Sequence, residues 1–182
     1  MALLNSAPIK LGMPAPDFSL CGVDGSLYSL ASFKLKPILL ILFICNHCPY
    51  VQAVEDRFIT LRRDYEGRGV QLIGICSNDP RGYPEDSEES LRKRWLEKDY
   101  GFPYLLDNTQ DVARAFGAVC TPDIFVYDMN RLLVYHGRID DNWQNPSKVR
   151  RHDLREALDQ LLQDLPTSPQ QHPSMGCSIK WR

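Results

Sequence analysis

Apolar residues along this chain follow the two spacings that distinguish strands from helices. Residues 38–44 include no polar side chain, which is typical of a central strand covered on both faces. After Pro49, apolar residues recur at steps of three and four, which predicts an amphipathic helix that ends near Glu66. A second apolar run at residues 70–75 predicts the next strand. This order predicts a right-handed βαβ crossover and a partly parallel sheet.

Turn signals near both ends predict two hairpins. Asp24-Gly25 precedes residues 27–30 and predicts an N-terminal hairpin, and residues 128–131 predict a turn between residues 124–127 and 132–139. Further apolar spacings predict a helix over residues 87–98 capped by Asp86, a short strand at residues 102–106, a short helix ending before Gly117 and a last helix around residues 154–162. The predicted fold class is α/β, with a mixed central sheet flanked by helices and an N-terminal hairpin extension.

Domain organisation follows from length and proline content. The chain has 182 residues, of which 43% are hydrophobic, which is enough for one substantial core. Pro166, Pro169 and Pro173 prevent regular structure until the apolar ending at Ile179 and Trp181. We therefore expect one domain at residues 1–165 and a C-terminal tail at residues 166–182.

Charge and cysteine content narrow the classes of partner. Twenty-one basic and 23 acidic side chains give a net charge of -2, so we expect neither nucleic acid nor membrane as a partner. Residues 1–12 lack the pattern of a secretory signal, and no apolar run reaches membrane-spanning length, which predicts a cytoplasmic protein. Six cysteines are too few for a secreted disulfide scaffold. Only a close pair of cysteines suggests redox or metal chemistry.

That pair lies in the segment Cys45-Asn46-His47-Cys48, between the first predicted strand and its helix. Oriented amides at a helix N-terminus lower a thiol pKa from about 8.5 towards roughly 3.5–7.5, which favours Cys45 as the nucleophile. His47 adds a donor or a positive charge beside the thiolate. Cys48 would then act as the resolving thiol. This segment predicts a thiol-disulfide oxidoreductase that needs no cofactor.

Several segments resemble a known family. Residues 12–20, the cysteine pair after a hydrophobic strand and Thr121-Pro122 before the closing hairpin resemble the thioredoxin superfamily, in its alkyl hydroperoxide reductase and thiol-specific antioxidant (AhpC/TSA, redoxin) branch. The segments that resemble the peroxiredoxin-like proteins of this branch are residues 45–51, 77–79, 83–87, 137–141 and 176–181. The resemblance spans nearly the whole chain.

The resemblance implies a thioredoxin-like fold with four or five central strands. Cys45 takes the position of the nucleophile and Cys48 that of the resolving cysteine. Pro122 takes the position of a cis-proline that lies against the cysteine pair. Thr121 would offer its backbone groups to an extended substrate strand. The implied partners are a protein or small-molecule disulfide and an electron donor that the sequence does not identify, in redox homeostasis or antioxidant defence.

Two departures from the family pattern bear on the reaction. If Cys48 were a peroxidatic cysteine, the proline and threonine that precede such a cysteine would be Ile41 and Cys45, so weak or absent peroxidase activity is expected. The buried aspartate of thioredoxin is Leu39 here, so protons at Cys48 need another route. Solvent, His47 and Asp123 are candidates for that route, although Asp123 is expected in a surface ion pair.

Two other functions remain open. The main alternative is a thiol peroxidase that acts through Cys45 or Cys48. The second is a metal-binding chaperone of the thioredoxin fold, with Cys45, Cys48 and either His47 or His136 as soft ligands for copper or zinc.

The remaining cysteines carry separate expectations. Cys21 and Cys76 lie in apolar strand contexts and are predicted to be core thiols, while Cys120 is ambiguous. The tail ends in Cys177, Ile179 and Trp181, so we expect it to dock. One hypothesis places Cys177 beside the cysteine pair as an auxiliary thiol or lid. A tail docked elsewhere or disordered is the other.

Overall fold

The computed structural model describes residues 3–182. Within this range the strands are β1 (Leu3–Asn5), β2 (Ser19–Gly22), β3 (Leu27–Ser29), β4 (Ile38–Phe43), β5 (Val70–Cys76), β6 (Tyr104–Leu106), β7 (Cys120–Thr121), β8 (Asp123–Tyr127), β9 (Leu133–His136) and β10 (Met175–Ser178). The α-helices are α1 (Pro49–Tyr65), α2 (Glu88–Glu97), α3 (Asp111–Phe116) and α4 (Asp153–Leu161). In this range, no helix is long and apolar enough to cross a membrane.

The main sheet has seven strands in the order β3-β2-β6-β5-β4-β8-β9. Strands β4, β5 and β6 run parallel, while β8, β9 and the β2–β3 hairpin are antiparallel, so the predicted mixed sheet and βαβ unit are confirmed. Seven strands exceed the four or five that the resemblance implies. The reason is that the N-terminal hairpin joins the edge, where Cys21 of β2 pairs with Leu106 of β6.

Strand β4 lies at the centre of the core, and all six of its residues are buried. Leu40 and Leu42 face the cluster that includes residues of α1 and α4, while Leu39 and Ile41 face the cluster on the α3 side. Burying each such side chain stabilises the fold by about 1.5–3 kcal/mol. This double coverage explains the unbroken apolar run and holds the end of β4 in a fixed place.

The C-terminal tail forms part of a second sheet, with strand order β1-β10-β7. The sequence predicted no regular structure before Ile179, but backbone pairing with both neighbours makes residues 175–178 a strand. Ile179 is buried in the core on the α3 side. Trp181 remains 40% exposed, and the Arg114 guanidinium lies 4.6 Å from its ring centre. The expected docking of the tail is therefore confirmed.

Candidate active site

Cys45 and Cys48 lie where the central strand gives way to the first helix. Strand β4 ends at Phe43, and Cys48 is the N-cap of α1. Pro49 occupies the first helical position, where its missing N–H leaves no hydrogen bond unmade. The predicted order of strand, cysteine pair and helix is confirmed. The sulfur of Cys48 thus lies at a helix N-terminus, where oriented amides favour negative charge.

Thr121 and Pro122 lie against both sulfurs. The Thr121-Pro122 peptide bond is cis, as the resemblance implied. The Cys48 Sγ lies 3.1 Å from the Thr121 carbonyl oxygen, and the Cys45 Sγ lies 3.4 Å from the Thr121 hydroxyl oxygen. The structure therefore brings together Cys45, Cys48, Thr121 and Pro122 through their side chains or backbone.

The fifth predicted residue, His47, has a ring nitrogen within 4.8 Å of the Cys45 sulfur, and other residues hold its ring in place. Its Nδ1 lies 2.5 Å from a carboxylate oxygen of Asp86, and its ring stacks on Tyr83 with ring centres 4.2 Å apart. The Lys180 ammonium lies 5.3 Å from the centre of the Tyr83 ring. His47, Tyr83 and Lys180 thus form a row of contacts that connects the cysteine segment to the tail.

Asp86 is a site residue that the sequence analysis misassigned. It was predicted to cap α2, but Ser87 does so, and the backbone N–H of Ser90 donates to the Ser87 hydroxyl. The buried Asp86 carboxylate instead accepts hydrogen bonds from the backbone N–H groups of Asn46 and His47 at 2.8 and 3.1 Å. Burial works to raise its pKa, but hydrogen bonds from His47 and Asn78 lower it overall. The carboxylate therefore holds the backbone of the cysteine segment in place through these hydrogen bonds.

No local pattern distinguishes this role from a helix cap. Asp86 precedes a helical run within a polar loop, and its partner Asn46 lies 40 residues earlier in the chain. The only signal was that the loop at residues 83–87 belongs to the segments that carried the family resemblance.

The electrostatics reverse the predicted order of the two thiols. Burial, a hydrogen bond to Cys48 and the negative charge of Asp86 raise the pKa of Cys45. Hydrogen bonds from the Cys45 thiol, and then from Cys177 and Thr121, lower the pKa of Cys48 to about 5. These directions run against the prediction that Cys45 is the more acidic thiol, and the main cause is the burial of Cys45. They favour Cys48 as the thiol that ionises first.

Cys177 belongs to the same buried cluster as Cys45 and Cys48, which confirms the hypothesis that the tail reaches the cysteine pair. The nearby Cys177 thiol is among the groups that lower the pKa of Cys48. In the strand pairing of β10 with β7, Cys177 is opposite Thr121. Cys45, Cys48 and Cys177 are each no more than 1% exposed. The three thiols thus form a closed cluster with Cys48 at its centre.

The structure also gives the surroundings of the other cysteines and of Asp123. Cys76 is a buried core thiol as predicted, but Cys21 is exposed because its strand belongs to the peripheral hairpin. Cys120 is buried, and its thiol lies 3.7 Å from the Pro122 carbonyl oxygen. Asp123 is not in a surface ion pair: it is fully buried and hydrogen-bonds with His136 at 2.8 Å. Burial raises the pKa of Asp123.

The ligand set expected for a metal differs from the one that the structure brings together. Within residues 3–182, the group with ligand atoms closest together is Cys45, His47 and Asp86, all within 4.8 Å. His136 is occupied by Asp123. In the group of three, the Nδ1 atom of His47 and a carboxylate oxygen of Asp86 hydrogen-bond with each other, which uses one ligand atom of each residue.

A cleft of about 280 Å³ opens on the other side of Pro122. Tyr50 and Trp143, whose ring centres are 4.3 Å apart, line it together with Arg138 and Met175 of β10. Asp140 and Asp141 also line the cleft, so it combines apolar walls with a few charged groups, as ligand sites do. The cleft therefore borders both the cis-proline and the tail.

The mixed sheet flanked by helices, with a cysteine pair between strand and helix and a cis-proline opposite it, has the thioredoxin-like fold. The chain matches the AhpC/TSA family over residues 11–136, and it belongs to this family.

Two protein relatives have redox names. Peroxiredoxin Q, chloroplastic, from Oryza sativa subsp. japonica is 24% identical over 153 residues, which are 77% of this chain and 63% of that protein. Thiol-disulfide oxidoreductase ResA from Geobacillus thermodenitrificans (strain NG80-2) is 23% identical over 124 residues, which are 67% of this chain and 66% of that one. These relatives support a redox function within the redoxin family.

Solved structures agree with this fold. A hypothetical protein from Sinorhizobium meliloti 1021 is 44% identical with a TM-score of 0.94, covering 98% of both chains. An uncharacterized conserved protein from Geobacillus kaustophilus is 43% identical with a TM-score of 0.95, covering 100% of this chain and 97% of that one. The thioredoxin domain of a thiol-disulfide oxidoreductase from Bacteroides vulgatus is 20% identical with a TM-score of 0.61, covering 71% and 89%. The last similarity concerns the fold alone.

Proposed function

We propose that this protein is a thiol-disulfide oxidoreductase that cycles Cys45 and Cys48 between dithiol and disulfide. The observation that carries the proposal is the position of the Cys48 sulfur, at a helix N-terminus and 3.1 Å from the Thr121 carbonyl oxygen of the cis Thr121-Pro122 bond. Its surroundings lower the pKa of this thiol to about 5. Such a thiol is largely ionised at neutral pH, and the thiolate is the form that attacks a disulfide.

The reaction begins with Cys48. Its thiolate attacks one sulfur of a substrate disulfide, which forms a mixed disulfide and releases the first substrate thiolate. The charge at Cys48 disappears in this step, and with it one of the influences that raise the pKa of Cys45. Cys45 then transfers its proton to the released thiolate and attacks the sulfur of Cys48. The products are a Cys45–Cys48 disulfide and two substrate thiols.

The partners in this proposal are a disulfide, on a protein or a small molecule, and a separate electron donor that reduces the oxidised pair. The cleft beside Pro122 supplies contact area for the substrate, with Arg138 as a cation at its wall. We also propose a cytoplasmic location and a role in redox homeostasis or antioxidant defence, on the cysteine pattern and the family membership.

Trapping with glutathione disulfide tests this proposal. The wild-type protein should form a Cys45–Cys48 disulfide, while Cys45→Ser should first form a glutathione adduct at Cys48. Cys48→Ser should lose disulfide reduction. Cys21→Ser is the matched control, because Cys21 is exposed and outside the site, and it should behave as wild type. An adduct that forms first at Cys45 in the wild-type protein would contradict the role of Cys48.

A thiol peroxidase is the second candidate, and one observation favours it. The Thr121 hydroxyl lies 3.4 Å from the Cys45 sulfur and helps to lower the pKa of Cys48, so it supplies from another strand the hydroxyl that is missing at position 45. A hydroxyl that holds the O–O bond accelerates attack by a thiolate. Stopped-flow kinetics with hydrogen peroxide distinguish the two candidates. If the protein is a peroxidase, hydrogen peroxide should oxidise Cys48 faster than glutathione disulfide does. Thr121→Val should then react with hydrogen peroxide more slowly than Thr121→Ser.

A further inference from the structure

We propose that Cys177 is a third catalytic thiol, which forms a disulfide with Cys48 and so competes with Cys45 for the same sulfur. This inference rests on the proposed function. Its starting observation is that Cys177 lies opposite Thr121 in the strand pairing, while the Thr121 carbonyl oxygen lies 3.1 Å from the Cys48 sulfur. Cys45, Cys48 and Cys177 also belong to the same buried cluster, so Cys48 has one thiol neighbour from its own segment and one from the C-terminal strand. A sulfur attached to Cys48 as a mixed disulfide would thus face two candidate attacking groups.

Hydrogen bonds at both ends of β10 hold Cys177 in place. At one end, the Ser6 and Ser174 backbones pair, and the Ser174 hydroxyl donates to the Gly137 carbonyl at 2.7 Å. At the other end, the Ile179 N–H donates to Val119 and the Lys180 N–H donates to the Asn78 side chain at 2.8 Å. A thiol held between two anchors loses little freedom when it reacts, which favours fast intramolecular attack.

The preceding residue permits the close approach of the strand. A Cβ atom at Gly176 would lie 1.9 Å from the Thr121 carbonyl oxygen, so only glycine fits at this position. The pairing of Cys177 with Thr121 uses the backbone that the family resemblance assigned to an extended substrate. Strand β10 therefore occupies the substrate position with a Gly-Cys sequence.

The proposed step balances with glutathione disulfide as the oxidant. Cys48 attacks one sulfur, and one glutathione leaves as a thiolate that takes the Cys177 proton. The Cys177 thiolate then attacks the Cys48 sulfur, the Cys48–glutathione bond breaks and the second glutathione leaves as a thiolate. Two protein thiols are oxidised to one disulfide, and glutathione disulfide is reduced to two glutathiones.

The experiment compares full-length Cys45→Ser with the double variant Cys45→Ser, Cys177→Ser after one equivalent of glutathione disulfide. Lysine and arginine residues place Cys48, Cys120 and Cys177 in three different tryptic peptides, so non-reducing mass spectrometry identifies each crosslink. We expect a Cys48–Cys177 disulfide in Cys45→Ser. In the double variant, the glutathione adduct at Cys48 should persist about ten-fold longer or more.

Persistence of the adduct in Cys45→Ser, or a crosslink from Cys48 to Cys120, would overturn the proposal. Partial oxidation of the wild-type protein gives a second test that needs no variant: the Cys48–Cys177 crosslink should occur beside Cys45–Cys48. A wild-type protein that forms Cys45–Cys48 alone refutes only the role of Cys177. One that forms neither disulfide refutes the proposed function itself.

Discussion

Substituting Gly176 with alanine should pull the C-terminal strand away from the cysteine cluster. The new methyl group would lie 1.9 Å from the Thr121 carbonyl oxygen and 2.5 Å from its carbon. An ordinary contact between such atoms is about 3.5 Å, so β10 and β7 must separate by about 1.6 Å. Overpacking of this kind costs about 1–3 kcal/mol. The cost falls on the docked strand, because an undocked tail has no such clash.

This free-energy cost should increase the fraction of molecules in which Cys48 is accessible to a reagent. A bias of 1–3 kcal/mol corresponds to about a 5- to 150-fold change between two states. Because Cys48 is fully buried when the strand is docked, its alkylation rate should rise by about that factor in Gly176→Ala. The assay is iodoacetamide labelling at neutral pH, with peptide mass spectrometry at each time point. Gly67→Ala is the matched control, since a Cβ there meets nothing within 4 Å.

Two results would refute this reasoning. If Cys48 in Gly176→Ala reacts no faster than in Gly67→Ala, then β10 does not control access to the site. If labelling rises equally at Cys76, which is buried in the main core, the substitution has loosened the whole domain rather than one strand.

Four other predictions concern the chemistry of the site. Asp86→Asn should lower the pKa of Cys45, because the Asp86 charge helps to raise it, whereas the exposed neighbour Glu85→Gln should not; the pH dependence of alkylation measures both. In the wild-type protein, thiolate absorbance at about 240 nm should appear as the pH rises through about 5, the value to which the surroundings lower the pKa of Cys48. Cys45→Ala removes the main donor and should move that midpoint upward, while Cys21→Ala should leave it in place; an unmoved midpoint in Cys45→Ala would contradict the assignment. Protein purified without added metal should contain no stoichiometric zinc or copper, because His47 and Asp86 hydrogen-bond with each other; elemental analysis that finds one ion per chain would reverse this prediction.

Local spacing was sufficient to predict the frame of the site. Residues 38–44 are apolar throughout because β4 is covered on both faces, and the spacing after Pro49 reflects the buried side of α1. Cys45 and Cys48 are close because only two residues separate them, so their proximity required no knowledge of the fold. The cis bond at Pro122 could not come from such spacing, since it was implied by family resemblance alone.

The ionisation of these cysteines was decided by the tertiary structure. The pKa of each thiol depends on burial and on neighbours brought from distant segments: Asp86 beside Cys45, and Cys177 and Thr121 beside Cys48. Sequence reasoning assigned the thiolate to Cys45 because it counted only the helix N-terminus and His47. It also placed Cys21 in the core, although the pairing of β2 at the sheet edge leaves that thiol exposed. A side-chain pattern records which faces of an element are apolar, but the sign and strength of an electrostatic field depend on which charges folding brings together.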